Sequence, residues 1–124
     1  MSTSEIATVL AWHDALSTGD FNTLVSLSSD DIEIGDAGGA AQGHAAVRNW
    51  AQQVNAMVTV GRIYYREGVV VVEETITPRE DPGAVRTTAS AFRVVADHVT
   101  AAFRHDDLDA ALAATGLTDL DIQN

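Results

Sequence analysis

The sequence contains no cysteine. That removes disulfides, thiolate nucleophiles and thiolate metal sites, and it gives no sign of an oxidising compartment. Basic residues are few: 7 Lys and Arg stand against 18 Asp and Glu, a formal charge of −11. Such a chain repels phosphate backbones and anionic lipid surfaces, so neither nucleic acid nor a membrane is an expected partner. No apolar run approaches the ~20 residues of a membrane-spanning helix. The opening Met1-Ser2-Thr3-Ser4-Glu5 lacks the basic region of a signal peptide, and a cytoplasmic protein is expected. His13, His44, His98 and His105 show no HxH or HExxH spacing, and there is no glycine-rich dinucleotide or phosphate loop. The chain is therefore expected to use neither metal nor cofactor. Internal repeats, low-complexity tracts and linkers are absent too.

What is present is 46% hydrophobic residues over 124 positions, enough for one core of ordinary size, so residues 1–124 read as a single domain. The spacing predicts a first helix from Ser4 to Ser17, with Ser2 and Glu5 as a capping box and Ile6, Val9, His13 and Leu16 on one stripe. Gly19 ends it, and Asp20 caps a short second helix from Phe21 to Ser28. Asp31 to Gly35 reads as a strand, residues 35–39 as a loop, and His44 to Met57 as a third helix. The period then changes. Thr59 to Arg66 and Val69 to Thr77 form a hairpin around Glu67-Gly68, and Pro78 to Gly83 a loop. Val85 to Ala96 and Val99 to His105 form a second hairpin around Asp97-His98. Asp106 caps a last helix through Ala114, and Gly116 stops it. Helices on one side of a mostly antiparallel sheet make an α+β domain, and a curved sheet over them leaves a blind cavity.

The turns predict which side chains face that cavity. A two-residue turn at Glu67-Gly68 puts Arg66 opposite Val69, Arg62 opposite Glu73 and Gly61 opposite Glu74. Tyr65, Ile63, Val70, Val72, Glu74 and Ile76 then share the inner face, with Glu74 its one charged member; Arg62 and Glu73 form an outer ion pair. In the second hairpin Phe92 pairs with Phe103 and Ser90 with His105, all inward, while Arg93 and Arg104 point outward. His13 lies in the apolar stripe of the first helix, either as a core histidine bonded to backbone or as a cavity acid or base. Glu74 is either a rim carboxylate or a buried catalytic one. Both are isolated polar groups on apolar faces packed against each other, so His13 and Glu74 are expected to meet as an interior pair; the alternative is that Glu74 reaches the rim and His13 bonds only backbone. Tyr65 offers a hydroxyl to a ligand oxygen or packs in the sheet. Trp12 and Trp50 are packing residues or cavity walls. Asp36, ahead of a glycine-rich loop, either overhangs the cavity mouth or makes an Asx turn.

Three phrases carry a resemblance. They are residues 11–21 (AWHDALSTGDF), residues 43–50 (GHAAVRNW) and the final hairpin and helix from Phe92 to Leu112, ending in DLDAAL. Together and in this order they resemble the SnoaL-like branch of the NTF2-like superfamily over nearly the whole chain. The resemblance implies a cone: a strongly curved, mostly antiparallel sheet packed on three helices, commonly dimerising through the sheet's outer face. Here that face offers Arg62, Tyr64, Val71, Arg93, Val95 and Arg104. Ketosteroid isomerases, another branch, carry a proton-shuttling Asp where Asp36 falls. Their oxyanion Tyr falls near Trp12, which has only an N–H donor, and their second, protonated Asp has no counterpart. The scaffold hosts many activities. The first expectation is a cofactor-independent isomerase or cyclase acting on a small, mostly apolar, oxygen-bearing molecule. Asp36, Glu74 or His13 would be its base, with Tyr65 or His105 polarising an oxygen. A non-catalytic binding module is the alternative. An epoxide-hydrolase-like enzyme, needing two acids bridged by an Arg, ranks third because Arg62 and Arg93 point outward.

Overall fold

The computed structural model describes residues 3–123; the Ser2–Glu5 capping box lies outside the described residues. Helix α1 (Thr3–Thr18) is followed by α2 (Phe21–Ser26), where the Asp20 carboxylate accepts from the Thr23 backbone N–H. Strand β1 (Ser28–Asp36) turns into β2 (Gly39–Gln42), and α3 (His44–Val54) follows. Two long hairpins, β3 (Ala56–Arg66) with β4 (Val69–Pro78) and β5 (Arg86–Val95) with β6 (His98–His105), complete the main sheet. Helix α4 (Leu108–Thr115), a 3-10 turn (Asp119–Asp121) and a short β7 (Ile122–Gln123) end the described chain. The sheet order is β2-β1-β6-β5-β4-β3-β7. Strands β1 and β6 run parallel, and the other described pairs are antiparallel. The expected α+β cone is present.

Several boundaries differ from the sequence reading. The glycine-rich segment after β1 is a tight hairpin, because β2 pairs Gly39 with Asp36 and Gln42 with Glu33. Gly35 permits this: a Cβ there would lie 2.4 Å from the Gly39 carbonyl oxygen. Helix α3 stops at Val54, where Asn55 takes a left-handed conformation, so Met57 belongs to β3 and is exposed. Asp107, one residue later than expected, caps α4 by accepting from Ala110 N–H.

The inner face of the sheet and helices α1 to α3 enclose one core, which includes Trp12, Leu16, Leu24, Ile32, Val47, Val70, Val72 and Phe92. Helix α4 covers part of the opposite face, burying Tyr64, Val71 and Ala89 against Ala111 and Leu117. Tyr64 and Val71, expected at a dimer interface, are thus 1% and 0% exposed within one chain.

Strand registers decide which polar side chains enter the core. The Glu67-Gly68 turn pairs Arg66 with Val69 and Tyr65 with Val70, as expected. A bulge then lets Gly61 and Arg62 share Glu73, so Val60 rather than Gly61 faces Glu74. The bulge keeps Val58 and Ala56 buried and leaves Arg62 paired with Glu73. In the second hairpin the turn is Ala96-Asp97, both at positive φ, not Asp97-His98. Phe92 therefore pairs with Ala102 and Ser90 with Arg104, after a second bulge at Thr100. The displaced turn by itself moves each partner by two residues and keeps the faces; the bulge moves it back by one and exchanges the faces of β6. Arg104 turns inward, while Phe103 and His105 fall on the opposite register and do not enter the core.

Candidate functional site

The inward face of the sheet carries a polar row across otherwise apolar strands. On β4 it begins with Glu74, which pairs with Thr88 of β5. Ser90, two residues along β5, pairs with Arg104 of β6. The parallel register of β1 with β6 sets Gly35 beside Phe103, so Asp36 ends its strand next to Arg104. The row thus runs from a fully buried acid, through an arginine, to an exposed acid at the rim.

Its inner end is a dyad. His13 Nε2 lies 2.6 Å from Glu74 Oε2, with the two side chains 2% and 3% exposed. His13 Nδ1 is 2.8 Å from the Val9 carbonyl oxygen, which can only accept, so Nδ1 carries a hydrogen. One further proton then lies in the contact between Nε2 and Oε2, on the imidazole or on the carboxyl. Ser90 donates to the other carboxyl oxygen at 2.6 Å. Burial pushes the Glu74 carboxyl up. The hydrogen bonds from His13 and Ser90 and the charges of His13 and Arg104 outweigh burial and hold it below its ordinary value of 4.5. Aromatic rings enclose the pair. Phe92 lies edge-on to His13 at 5.1 Å and to Trp12 at 5.4 Å, and Trp50 is tilted against Trp12 at 5.6 Å. The Trp12 N–H donates to Ser28 Oγ, so it has a partner within the core.

The outer end is open. A cleft of about 700 Å³ is lined by Asp36, Arg86, Thr88, Phe103, Arg104 and His105, among others. A shallower concavity on the far side of Asp36 is lined by Trp50, Ile34 and Asn49. Between the two, the Arg104 guanidinium carbon lies over the Trp50 ring, 5.8 Å from its centroid. Burial pulls Arg104 below its ordinary value and Arg86 adds to that, while Glu74 and Asp36 oppose it.

The sequence-derived candidates therefore separate into groups. His13 and Glu74 meet directly, with Ser90, Phe92 and Trp12 around them, but none of these five lines the cleft or the shallower concavity. Phe103 and His105 line the cleft, from the opposite face to the one expected. Trp50 is half-buried at its edge. Asp36 is exposed, and its Oδ1 accepts from Gly38 N–H in an Asx turn, so it overhangs the mouth without touching the dyad. The Tyr65 hydroxyl is bonded to Glu5 at the start of α1, away from both cleft and dyad. Sequence reasoning missed Arg104, Arg86 and Thr88. Arg104 was misplaced because Ala101-Ala102 carries no alternation signal that would fix the register. Arg62 and Arg93 are exposed, as the low rank of the hydrolase reading assumed, but Arg104 supplies an inward arginine between two acids. Among the described residues no three His, Asp or Glu side chains converge as metal ligands. No helix among them is long and apolar enough to cross a membrane.

Similarity to solved structures follows the geometry. An NTF2-like protein of unknown function from Cytophaga hutchinsonii superposes with a TM-score of 0.74 at 14% identity, over 83% of this chain and 89% of that one. A protein from Sinorhizobium meliloti, provisionally assigned as a polyketide cyclase, gives 0.70 at 19% identity, over 80% and 94%. A protein with a ketosteroid isomerase-like fold from Catenulispora acidiphila, solved in complex with trimethylamine, gives 0.67 at 21%, over 90% and 93%. At these identities the likeness shows fold alone. Comparison with curated proteins finds no match. A family model described as SnoaL-like domain matches residues 9–110. A curved, mostly antiparallel sheet closed over three helices, with that match across most of its length, means that the chain belongs to the SnoaL-like family within the NTF2-like superfamily.

Proposed function

We propose that this domain binds a small, partly apolar, oxygen-bearing molecule and moves a proton on it without a cofactor, in the manner of an isomerase or cyclase. The observation that carries this reading is the buried His13–Glu74 dyad, with one proton in a 2.6 Å contact. A carboxylate and an imidazole sharing one proton among apolar rings form an acid and a base in one unit. The Ser90 hydroxyl links this unit to the strand pair that ends at Arg104 and the cleft. In this reading Glu74 and His13 together hold the proton as one unit, reached from the cleft through Ser90, and Arg104 stabilises negative charge developing on the ligand oxygen. The acid–arginine–acid order of Glu74, Arg104 and Asp36 also supports water activation of the epoxide-hydrolase kind, with ring opening of an epoxide as its signature.

The packing of Trp12, Trp50 and Phe92 around the dyad favours a second reading, a binding module whose dyad is structural. Turnover separates the two. A β,γ-unsaturated ketone is incubated with the protein, and its conversion to the conjugated isomer is followed by ultraviolet absorbance. The enzyme reading expects a rate above buffer that falls by roughly 10²-fold or more in Glu74→Gln. Binding without turnover, in wild type and variant alike, supports the module.

A further inference from the structure

The chain has no lysine, so its seven basic side chains are all arginines. Arg48, Arg62, Arg66 and Arg79 each have a hydrogen-bond or ion-pair partner. Of the three for which the described residues show none, Arg86 and Arg104 line the same cleft. Arg104 is the costlier to leave so. Its Nε is buried and has no hydrogen-bond partner among the described residues. The Thr88 hydroxyl, on a residue 8% exposed that lines the same cleft, is also buried without a partner. Buried donors without partners are rare, because each forfeits its hydration. Two of them beside a cleft, with a second arginine, describe a site waiting for an acceptor.

We infer that this cleft binds the carboxylate of a small-molecule ligand, with Arg104 and Thr88 as its inner donors and Arg86 at its entrance. The inference rests on the small-molecule reading above but not on the acid–base step. Chemistry narrows the anion. The Nε edge of a guanidinium presents parallel N–H donors that match the two oxygens of a planar carboxylate. Asp36 and Asp106 also line the cleft. In a protein of formal charge −11 they repel a doubly charged phosphate more than a singly charged carboxylate. Phe103, Ala37 and Ala110 add apolar wall for the body of the ligand. The Trp50 ring lies under the Arg104 guanidinium, 5.8 Å from its central carbon, and adds a cation–π contact.

The test reads Arg104 itself. In ¹⁵N-labelled protein the Arg104 Nε–H resonance, assigned by its loss in Arg104→Lys, is followed during titration with benzoate. Benzamide serves as the uncharged control and inorganic phosphate as the competing anion. The expected result is a saturable downfield shift with benzoate, with a Kd of about 1 mM, and at least about tenfold weaker binding of benzamide and of phosphate. Thr88→Val, which keeps the shape of the side chain, should weaken benzoate by roughly threefold to tenfold. Arg104→Gln, read through the Arg86 Nε–H and the backbone amides of the cleft, should show no saturable shift with benzoate while the backbone amide spectrum stays dispersed. No shift at about 50 mM benzoate overturns the inference. So does equal binding of benzamide, tighter binding of phosphate, or benzoate binding unchanged in Thr88→Val. A failed ketone assay with intact benzoate binding removes only the acid–base reading. Turnover without benzoate binding removes only the carboxylate site.

Discussion

At the scale of single residues, the most consequential pair is His13 and Glu74. Neither has water to fall back on, so each depends on the other. Removing one member of a buried ion pair costs about 3–5 kcal/mol, whereas replacing both with apolar groups of similar size is often neutral. Urea unfolding should therefore show Glu74→Leu strongly destabilised, and His13→Leu/Glu74→Leu markedly less so than the sum of the two single variants. Additive losses would mean the two side chains are not coupled. Acid titration gives a second check. The Glu74 carboxyl is held below 4.5 when folded, and unfolding returns it to that value. Its contribution to stability is thus present above pH 4.5 and is lost as pH falls through the lower folded value. Wild type should lose stability more steeply than Glu74→Gln on acidification below that point, and parallel curves would contradict the assignment.

At the scale of elements, tight turns and bulges fix the polar row. The β1–β2 hairpin holds Asp36 at the rim, and it closes only because position 35 has no side chain. Gly35→Ala places a Cβ against backbone atoms that cannot rotate away. It should cost roughly 1–3 kcal/mol and raise amide exchange in β2, measured by hydrogen exchange. The Ala96-Asp97 turn works the other way. Both residues adopt positive φ at 50° and 62°, a conformation that suits Asn-Gly far better. Ala96→Asn with Asp97→Gly should raise stability by about 0.5–1 kcal/mol in thermal unfolding without moving the register of β5 and β6. A destabilised variant would show that the turn is held from outside the hairpin. The first hairpin was legible because Glu67-Gly68 puts glycine at the second turn position. The second was not, since Val95, Ala96 and Asp97 offer no glycine to mark the corner.

At the scale of the whole molecule, α4 changes what the outer face can do. It covers Tyr64 and Val71 and leaves Arg93 and Val95 exposed, with Val95 at 57%. The homodimer proposed through this face must use the strip beyond α4. Light scattering at micromolar concentration should then give about twice the chain mass of 13.1 kDa, and Arg93→Glu should shift it toward the monomer. A monomeric wild type would remove the proposal.

Composition, helical stripes and the Glu67-Gly68 turn determined the class of fold, the α1–α3 layer and the isolation of His13 and Glu74 on apolar faces. Those are local properties: periods of 3.6 and 2 residues, read directly from neighbours in the chain. The sequence also led to the expectation that these two groups meet, because burial demands a partner and each is the isolated polar group on its own face, and the 2.6 Å contact bears it out. Only the tertiary structure decided that Arg104 faces the core while Phe103 and His105 do not, and that Tyr65 turns to Glu5. One bulge reverses every side chain beyond it, and the alanine-rich segment of β6 has no preference strong enough to resist. The site's arginine was set by strand register, and register is a property of the assembled sheet.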